Sequence, residues 1–198
     1  MRRLSLLLLF LGSLCASGFA QDQLTTDVTR VSFLSPGVSY EKSIGRAQTI
    51  QARAFMATSF SFSYSMALGS DWYFHSDPAL SLQYRYYYNH KARQQKEKRT
   101  AMNSMNYVAP LFETLFSKNR IDMDHPLEKS RRAIHTAGVV WGLQRNYEKR
   151  FSLDLQLGAG YQFTHVTAQG TDESVKYKVG NFTTIGQLTL GFWLNKRG

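Results

Sequence analysis

Residues 151–164, with the sequence FSLDLQLGAGYQFT, alternate apolar and polar side chains at every position. Successive side chains of a β-strand point to opposite faces, so this stretch predicts a strand with one apolar and one polar face. It is longer than the roughly 3–10 residues usual for strands in globular domains. A strand that crosses a membrane needs about 9–11 residues, apolar toward lipid and polar toward the barrel interior. The stretch therefore predicts a transmembrane β-barrel strand.

A second alternating stretch covers residues 48–68. Its apolar set is Ile50, Ala52, Ala54, Met56, Phe60, Phe62, Tyr64, Met66 and Leu68. No glycine or proline stands near Ala57 and Thr58 to make a turn, which favours one long strand. The alternative is two strands that share a turn at that point.

Five further stretches predict strands: residues 31–42, 80–89, 103–116, 133–145 and 183–195. Pro36 and Gly37 interrupt the first, which is typical of an edge strand or a bulge. Single-chain bacterial barrels have even numbers of strands, so seven readable strands predict an up-and-down antiparallel barrel of about eight. The missing strand lies either near residues 24–30 or in a split of residues 48–68.

The predicted connections alternate between short and long, as they do in outer-membrane barrels. Short ones follow Lys42 and Asn146. The long ones are residues 69–78, 117–132 and 166–180, the last with a small hairpin at 175–179. Tyrosine and tryptophan cluster at strand ends, where interfacial aromatic girdles belong.

The first 20 residues have the pattern of a cleaved signal peptide, which leaves residues 21–198 as one barrel domain. Arg2 and Arg3 precede an apolar run, and small residues precede a cut after Ala20. Acylation of Cys15 is the less favoured alternative, because Leu14 stands where that processing prefers a small residue. No later stretch approaches 18 continuous apolar residues, which excludes a helical membrane protein.

Export and alternating strands together predict the outer membrane of a two-membrane bacterium. The net charge of +10 suits contact with anionic lipid and with lipopolysaccharide phosphates. The barrel assembly machinery is a further expected partner during insertion, whereas export argues against nucleic acid. We expect no cofactor and no metal, since the histidines form no HExxH motif or short-spaced cluster.

Four charged residues lie on or near the polar faces: Glu41, Arg53, Arg85 and Asp154. An eight-stranded barrel has room for side chains but hardly for a channel, so ion pairs among these residues are expected to fill the interior. The alternative is a path for protons or a small ligand.

A basic stretch covers residues 90–99 and includes Lys91, Arg93, Lys96, Lys98 and Arg99. Charge runs usually serve solubility, so a solvated turn is the favoured interpretation. Contact with anionic lipid headgroups or a periplasmic polymer is the alternative.

These features favour a non-enzymatic membrane protein with a structural or surface-interaction role through its long extracellular loops. A second hypothesis is an enzyme acting on lipid or peptide at the outer rim, with His75 and Asp77 or with Asp124 and His125. A third is a narrow pore or a small-ligand barrel, including a soluble exported form that would have apolar residues inside and polar residues outside.

Several segments resemble a family of small outer-membrane β-barrel proteins of Bacteroidetes-type bacteria, a family of unknown function. They are SPGVSYEKSIG (35–45), LQYRYYYNHKAR (82–93), NSMNYVAP (103–110), VVWGLQRNYEKRFSLDLQLGAGYQ (139–162) and LTLGFWL (188–194). The resemblance covers most of residues 21–198, and its motifs are moderately specific. It implies a fold and a location but no catalytic residue.

Overall fold

The computed structural model describes residues 23–65, 69–117, 132–169 and 174–195. Eight antiparallel strands follow one another around a ring, and β8 pairs with β1 to close it. This confirms the predicted all-β, eight-stranded up-and-down barrel. The strands are β1 (Val28–Leu34), β2 (Gly37–Gly45), β3 (Gln48–Ser65), β4 (Gly69–Tyr87), β5 (Asn106–Ser117), β6 (Arg132–Asn146), β7 (Phe151–Gln169) and β8 (Ser174–Trp193).

The first predicted strand, residues 31–42, is two strands. β1 ends at Leu34 and β2 begins at Gly37, so Pro36 lies in a two-residue turn and Gly37 is the first residue of the next strand; the expected bulge or edge at these two residues was wrong. Ser35 has a φ of 53°, and its carbonyl accepts a hydrogen bond from Ser32 Oγ at 2.8 Å. The eighth strand arises here, since β1 begins at Val28 within residues 24–30. Residues 48–65 form one continuous strand, as expected.

Two of the three predicted long loops are strands instead. Residues 69–78 belong to β4 and pair with β3 up to Gly69 opposite Ser65. Residues 166–169 and 174–180 extend β7 and β8, so the predicted small hairpin is part of β8. Backbone pairing continues past the stretch with apolar alternation. The backbone N–H and C=O groups bond to the neighbouring strand, and this pairing does not depend on the polarity of the side chains. Most of the third loop lies in 118–131, outside the described residues.

The strand faces match the alternation in the sequence. In β7, Leu157 is 51% exposed on the outside, whereas Gln156 is 2% exposed in the interior. Along β4, Leu82 and Tyr84 lie outside, and Gln83 and Arg85 lie inside. The described strands thus have an apolar outer surface and a polar interior. A small apolar cluster lies inside the ring, formed by Tyr87, Met105, Tyr107, Ala109 and Val140.

The connections alternate between two ends of the barrel. The terminal end carries residues 23–27, 46–47, 88–105, 147–150 and 194–195. The distal end carries the β1–β2 turn at residues 35–36, and β3, β5 and β7 end there at Ser65, Ser117 and Gln169. The basic stretch at the terminal end contains a short helix, α1 (His90–Gln94), and a 3-10 helix (Ala101–Asn103) follows it. None of the described helices is long and apolar enough to cross a membrane.

Candidate functional site in the barrel interior

Glu41 is the centre of a hydrogen-bonded group of side chains inside the ring. Its side chain is fully buried and forms an ion pair with Arg30 at 2.9 Å, while Arg85 lies 3.8 Å away. Four further donors reach its two oxygens: Thr49 at 2.8 Å, Tyr87 at 2.5 Å, Asn103 at 2.9 Å and Gln144 at 3.3 Å. A buried carboxylate needs such partners because transfer out of water is costly for a charge.

Asp154 is the second buried carboxylate of this group. Arg85 Nη2 lies 2.9 Å from Asp154 Oδ2, and the Tyr107 hydroxyl donates to Oδ1 at 2.7 Å. Arg85 also donates to Gln83 at 2.9 Å and to Gln144 at 2.5 Å. Its guanidinium therefore links the two carboxylates across the barrel. We call Arg30, Glu41, Thr49, Gln83, Arg85, Tyr87, Asn103, Tyr107, Gln144, Asp154 and Gln156 the interior network.

Aromatic rings fill the space beside these charges. Tyr87 and Tyr107 meet edge to face, with ring centroids 5.6 Å apart. The Arg85 guanidinium lies over the Tyr107 ring at 4.1 Å, a favourable cation–π geometry. Gly142 makes room for that ring, since a Cβ at this position would overlap its carbon atoms. Because Gly142 has no side chain, the Tyr107 ring fits against β6 and its hydroxyl reaches Asp154.

Arg53 makes different direct bonds from the other three predicted charges, although it interacts electrostatically with Asp154 and lines the same small pocket. It makes no described ion pair with Glu41 or Asp154; instead it donates to Gln187 Oε1 at 2.8 Å and to the Ser35 carbonyl at 3.0 Å. Its guanidinium also covers the Phe55 ring at 4.0 Å. The structure thus brings Glu41, Arg85 and Asp154 together and gives Arg53 other bonding partners.

The terminal end of the ring is covered by residues 101–105. Asn103 has a φ of 59°, and its amide both donates to the Thr26 carbonyl and accepts from the Thr26 N–H. The same amide reaches Glu41, and Met105 is fully buried beside it. This segment therefore connects the N-terminal stretch to the interior network and closes that end.

Asp27 lies on the outer side of the terminal end. It accepts hydrogen bonds from Lys42 at 2.7 Å and from the Ser43 N–H at 2.9 Å. Burial alone would raise the pKa of Asp27, but these hydrogen bonds outweigh it and hold the pKa below its ordinary value.

The five basic residues of the predicted lipid-contact set have different roles. Arg93 donates twice to the Arg99 carbonyl, at 2.8 and 3.2 Å. Arg99 donates to the Asn146 carbonyl at 2.9 Å and lies 3.2 Å from Glu148. These two arginines hold the connection against the β6–β7 turn. The exposed members of the set are Lys91, Lys96 and Lys98.

The histidines of the enzyme hypothesis give no described catalytic geometry. His75 belongs to β4, where its backbone pairs with Ser59, and residues 124–125 lie outside the described part of the chain. His135 stacks between Phe112 and Phe163 and contacts Thr114 at 3.0 Å. Among the described residues, no group of histidine, cysteine, aspartate and glutamate side chains is arranged to hold a metal ion.

Sequence reasoning missed most partners of the buried charges: Arg30, Thr49, Tyr107, Gln144 and Asn103. Thr49 and Gln144 lie on positions whose alternation points inward, so the pattern identified their face but not their partners. Arg30 precedes the first predicted strand, and no face was predicted for Tyr107. Asn103 was predicted to begin the strand 103–116, but it lies in the connection before β5, with irregular backbone.

Comparisons of the chain with protein-family models, with curated proteins and with solved structures find no match.

Proposed function

We propose that this protein is an integral outer-membrane β-barrel protein that is not an enzyme and that acts at the cell surface through its distal end. The observation that carries the proposal is the polarity of the described strands, apolar outside and polar inside. A soluble barrel with an apolar ligand site requires the reverse arrangement. In water the exposed apolar residues of the outer surface would form a large patch, which soluble monomers rarely have.

The interior network favours a barrel with a closed interior and argues against an open pore. Its carboxylates each accept several hydrogen bonds, and Arg85 links them across the ring. An eight-stranded barrel has an interior just wide enough for side chains, so such a network leaves little space for ions. The oxygens of Glu41 and Asp154 already accept hydrogen bonds from side chains of the network, which argues against either residue acting as a catalytic base.

The proposed orientation places the terminal end in the periplasm. The exposed lysines of the basic stretch, Lys91, Lys96 and Lys98, would then face anionic headgroups of the inner leaflet. The distal end would face lipopolysaccharide and surface partners. Contact with the barrel assembly machinery during insertion follows from the same location.

A comparison of two arginine substitutions tests the membrane location. Leu82 lies on the outer face of β4, and Tyr88 follows the last residue of that strand at the terminal end; both are about half exposed, at 52% and 48%. Arginine costs about 2–4 kcal/mol at the bilayer midplane and about 0–1 near its surface. We therefore expect Leu82→Arg to destabilise the protein in lipid vesicles far more than Tyr88→Arg, measured by urea unfolding and heat-modifiable migration.

Equal effects of the two arginines, or a mature chain that stays soluble without detergent, would refute the membrane location. An epitope inserted within residues 118–131 should be accessible to antibody on intact cells, whereas one inserted within residues 147–150 should not. The reverse labelling would contradict the proposed orientation.

A further inference from the structure

The β1–β2 hairpin is much shorter than the strands on either side of it. The β2–β3 register ends at Gly37 opposite Phe55, and the β1–β8 register ends at Leu34 opposite Leu190. The Met56 N–H still donates to the Pro36 carbonyl at 2.8 Å. Past that bond, among the described residues, β3 pairs only with β4 and β8 pairs only with β7. No described pairing joins β3 to β8. The barrel wall therefore has a notch between the two strands above the hairpin tip.

A cavity of about 730 Å³ opens at this notch. Consecutive residues line it on both sides of the notch, including Phe55 and Met56 on β3 and Gln187 and Leu188 on β8. Successive strand residues point to opposite faces of the wall. A cavity that touches both faces therefore passes through the wall and connects the interior with the outer surface. Its volume falls within the range of about 300–1,000 Å³ typical of small-molecule sites.

The mouth and the inside of the cavity differ in polarity. Phe33, Leu34 and Leu188 lie at the mouth, each more than 40% exposed on the apolar outer surface. Inside, the lining includes Glu113, Gln156 and Gln162. An amphipathic ligand matches this gradient, with its polar group inside and its chain outside.

Opposite charges lie at the base of the cavity. Arg53 lies behind the lining and bonds to two lining residues, the Ser35 carbonyl and Gln187; it interacts electrostatically with Asp154 and with the lining residue Glu113. A headgroup with both a positive and a negative charge complements this pair better than an anionic one, because the carboxylate repels a lone anion. Free strand edges are tolerated at membrane depth where they line a water-filled cavity, and their amides add hydrogen-bonding groups for such a headgroup.

We propose that the notch is a lateral binding site for one amphipathic lipid with a zwitterionic headgroup. The headgroup lies in the cavity near Glu113, and the acyl chain leaves between β3 and β8 into the surrounding apolar phase. The inference rests on the proposed function, since it assumes a membrane around the outer surface.

Binding of single-chain lysophosphatidylethanolamine to the purified mature protein in detergent micelles tests the site. Lysophosphatidylglycerol with the same chain is the anionic comparator, and native mass spectrometry counts the bound probes. We expect one retained ethanolamine probe per barrel. Its affinity should exceed that of the anionic probe about tenfold, which is the lower end of the effect of one hydrogen bond to a charged group. Glu113→Gln should remove that preference.

A bulky residue at the mouth provides a second variant. A Cβ at Gly186 would meet only Leu157, at 4.0 Å, so a side chain can start there without a clash, and Gly186→Trp is chosen to obstruct the mouth. It should lower the affinity for the ethanolamine probe at least tenfold, and Thr184→Trp at the same mouth serves if that variant folds poorly. The matched control is Ala137→Trp, on the exposed face of β6 away from the notch, which should bind as wild type.

Many weakly held probes, equal in number for both headgroups and all variants, would show ordinary annular lipid and overturn the proposal. Slow exchange of those Ala57–Ser65 amides that point away from β4, in lipid-free protein and together with no probe binding, would instead show an extended chain segment in the notch and would also overturn it. These measurements are made in micelles and not in a bilayer. They therefore still decide whether the notch binds a lipid if the comparison of Leu82→Arg with Tyr88→Arg contradicts the membrane location.

Discussion

Replacing Glu41 by glutamine tests whether the interior network holds the barrel together. The two oxygens of Glu41 accept five hydrogen bonds, one of them from Arg30 Nη2, while Arg30 Nη1 has no described partner. A glutamine NH₂ group must replace one oxygen, and it would face at least two donors, from Arg30 and Gln144. Two lost hydrogen bonds to a charged group amount to about 3–6 kcal/mol. This agrees with the roughly 3–5 kcal/mol measured when one partner of a buried ion pair is removed.

The assay is equilibrium urea unfolding in detergent micelles, followed by tryptophan fluorescence and by heat-modifiable migration. Asp27→Asn is the matched control, because Asp27 also accepts three hydrogen bonds but its side chain is 37% exposed. Exposed pairs contribute at most about 1 kcal/mol, so this variant should stay close to wild type. If Glu41→Gln also stays within about 1 kcal/mol of wild type, the reasoning about the network is refuted.

Three further predictions use other parts of the structure. Gly142→Ala should cost about 1–3 kcal/mol by overpacking against the Tyr107 ring, and an unfolding free energy equal to that of wild type would contradict this. The pKa of Asp27 lies below its ordinary value of 3.8, so its stabilising effect is present above that value and is lost as the pH falls through the folded pKa. The stability difference between wild type and Asp27→Asn should therefore shrink below about pH 4, and a constant difference down to pH 2 would argue against it. In planar bilayers the wild type should carry no steady ion current; a steady current through it would contradict a closed interior.

The faces of the strands were predictable because alternation with a period of two is a local property. Leu157 outside and Gln156 inside follow from their neighbours alone, once residues 151–164 are recognised as a strand. The same parity placed Glu41, Arg85 and Asp154 on polar faces before any contact was known.

The strand ends were not predictable in the same way. Proline and glycine occur both in bulges and in turns, so Pro36 and Gly37 did not reveal that one stretch was two strands. Residues 69–78 were interpreted as a loop because the apolar alternation stops there. Only the pairing with β3, which satisfies their backbone amides, makes them part of β4.

By itself the sequence determined that the chain is all-β, that it has about eight strands, and which side chains share a face. The tertiary structure decided which interior residues meet: Arg85 reaches Glu41 and Asp154, whereas Arg53 bonds to Ser35 and Gln187. It also decided that a short hairpin leaves a notch between β3 and β8. The reason is that contacts across a barrel depend on strand tilt and stagger at closure, which link residues far apart in the chain and leave no local pattern.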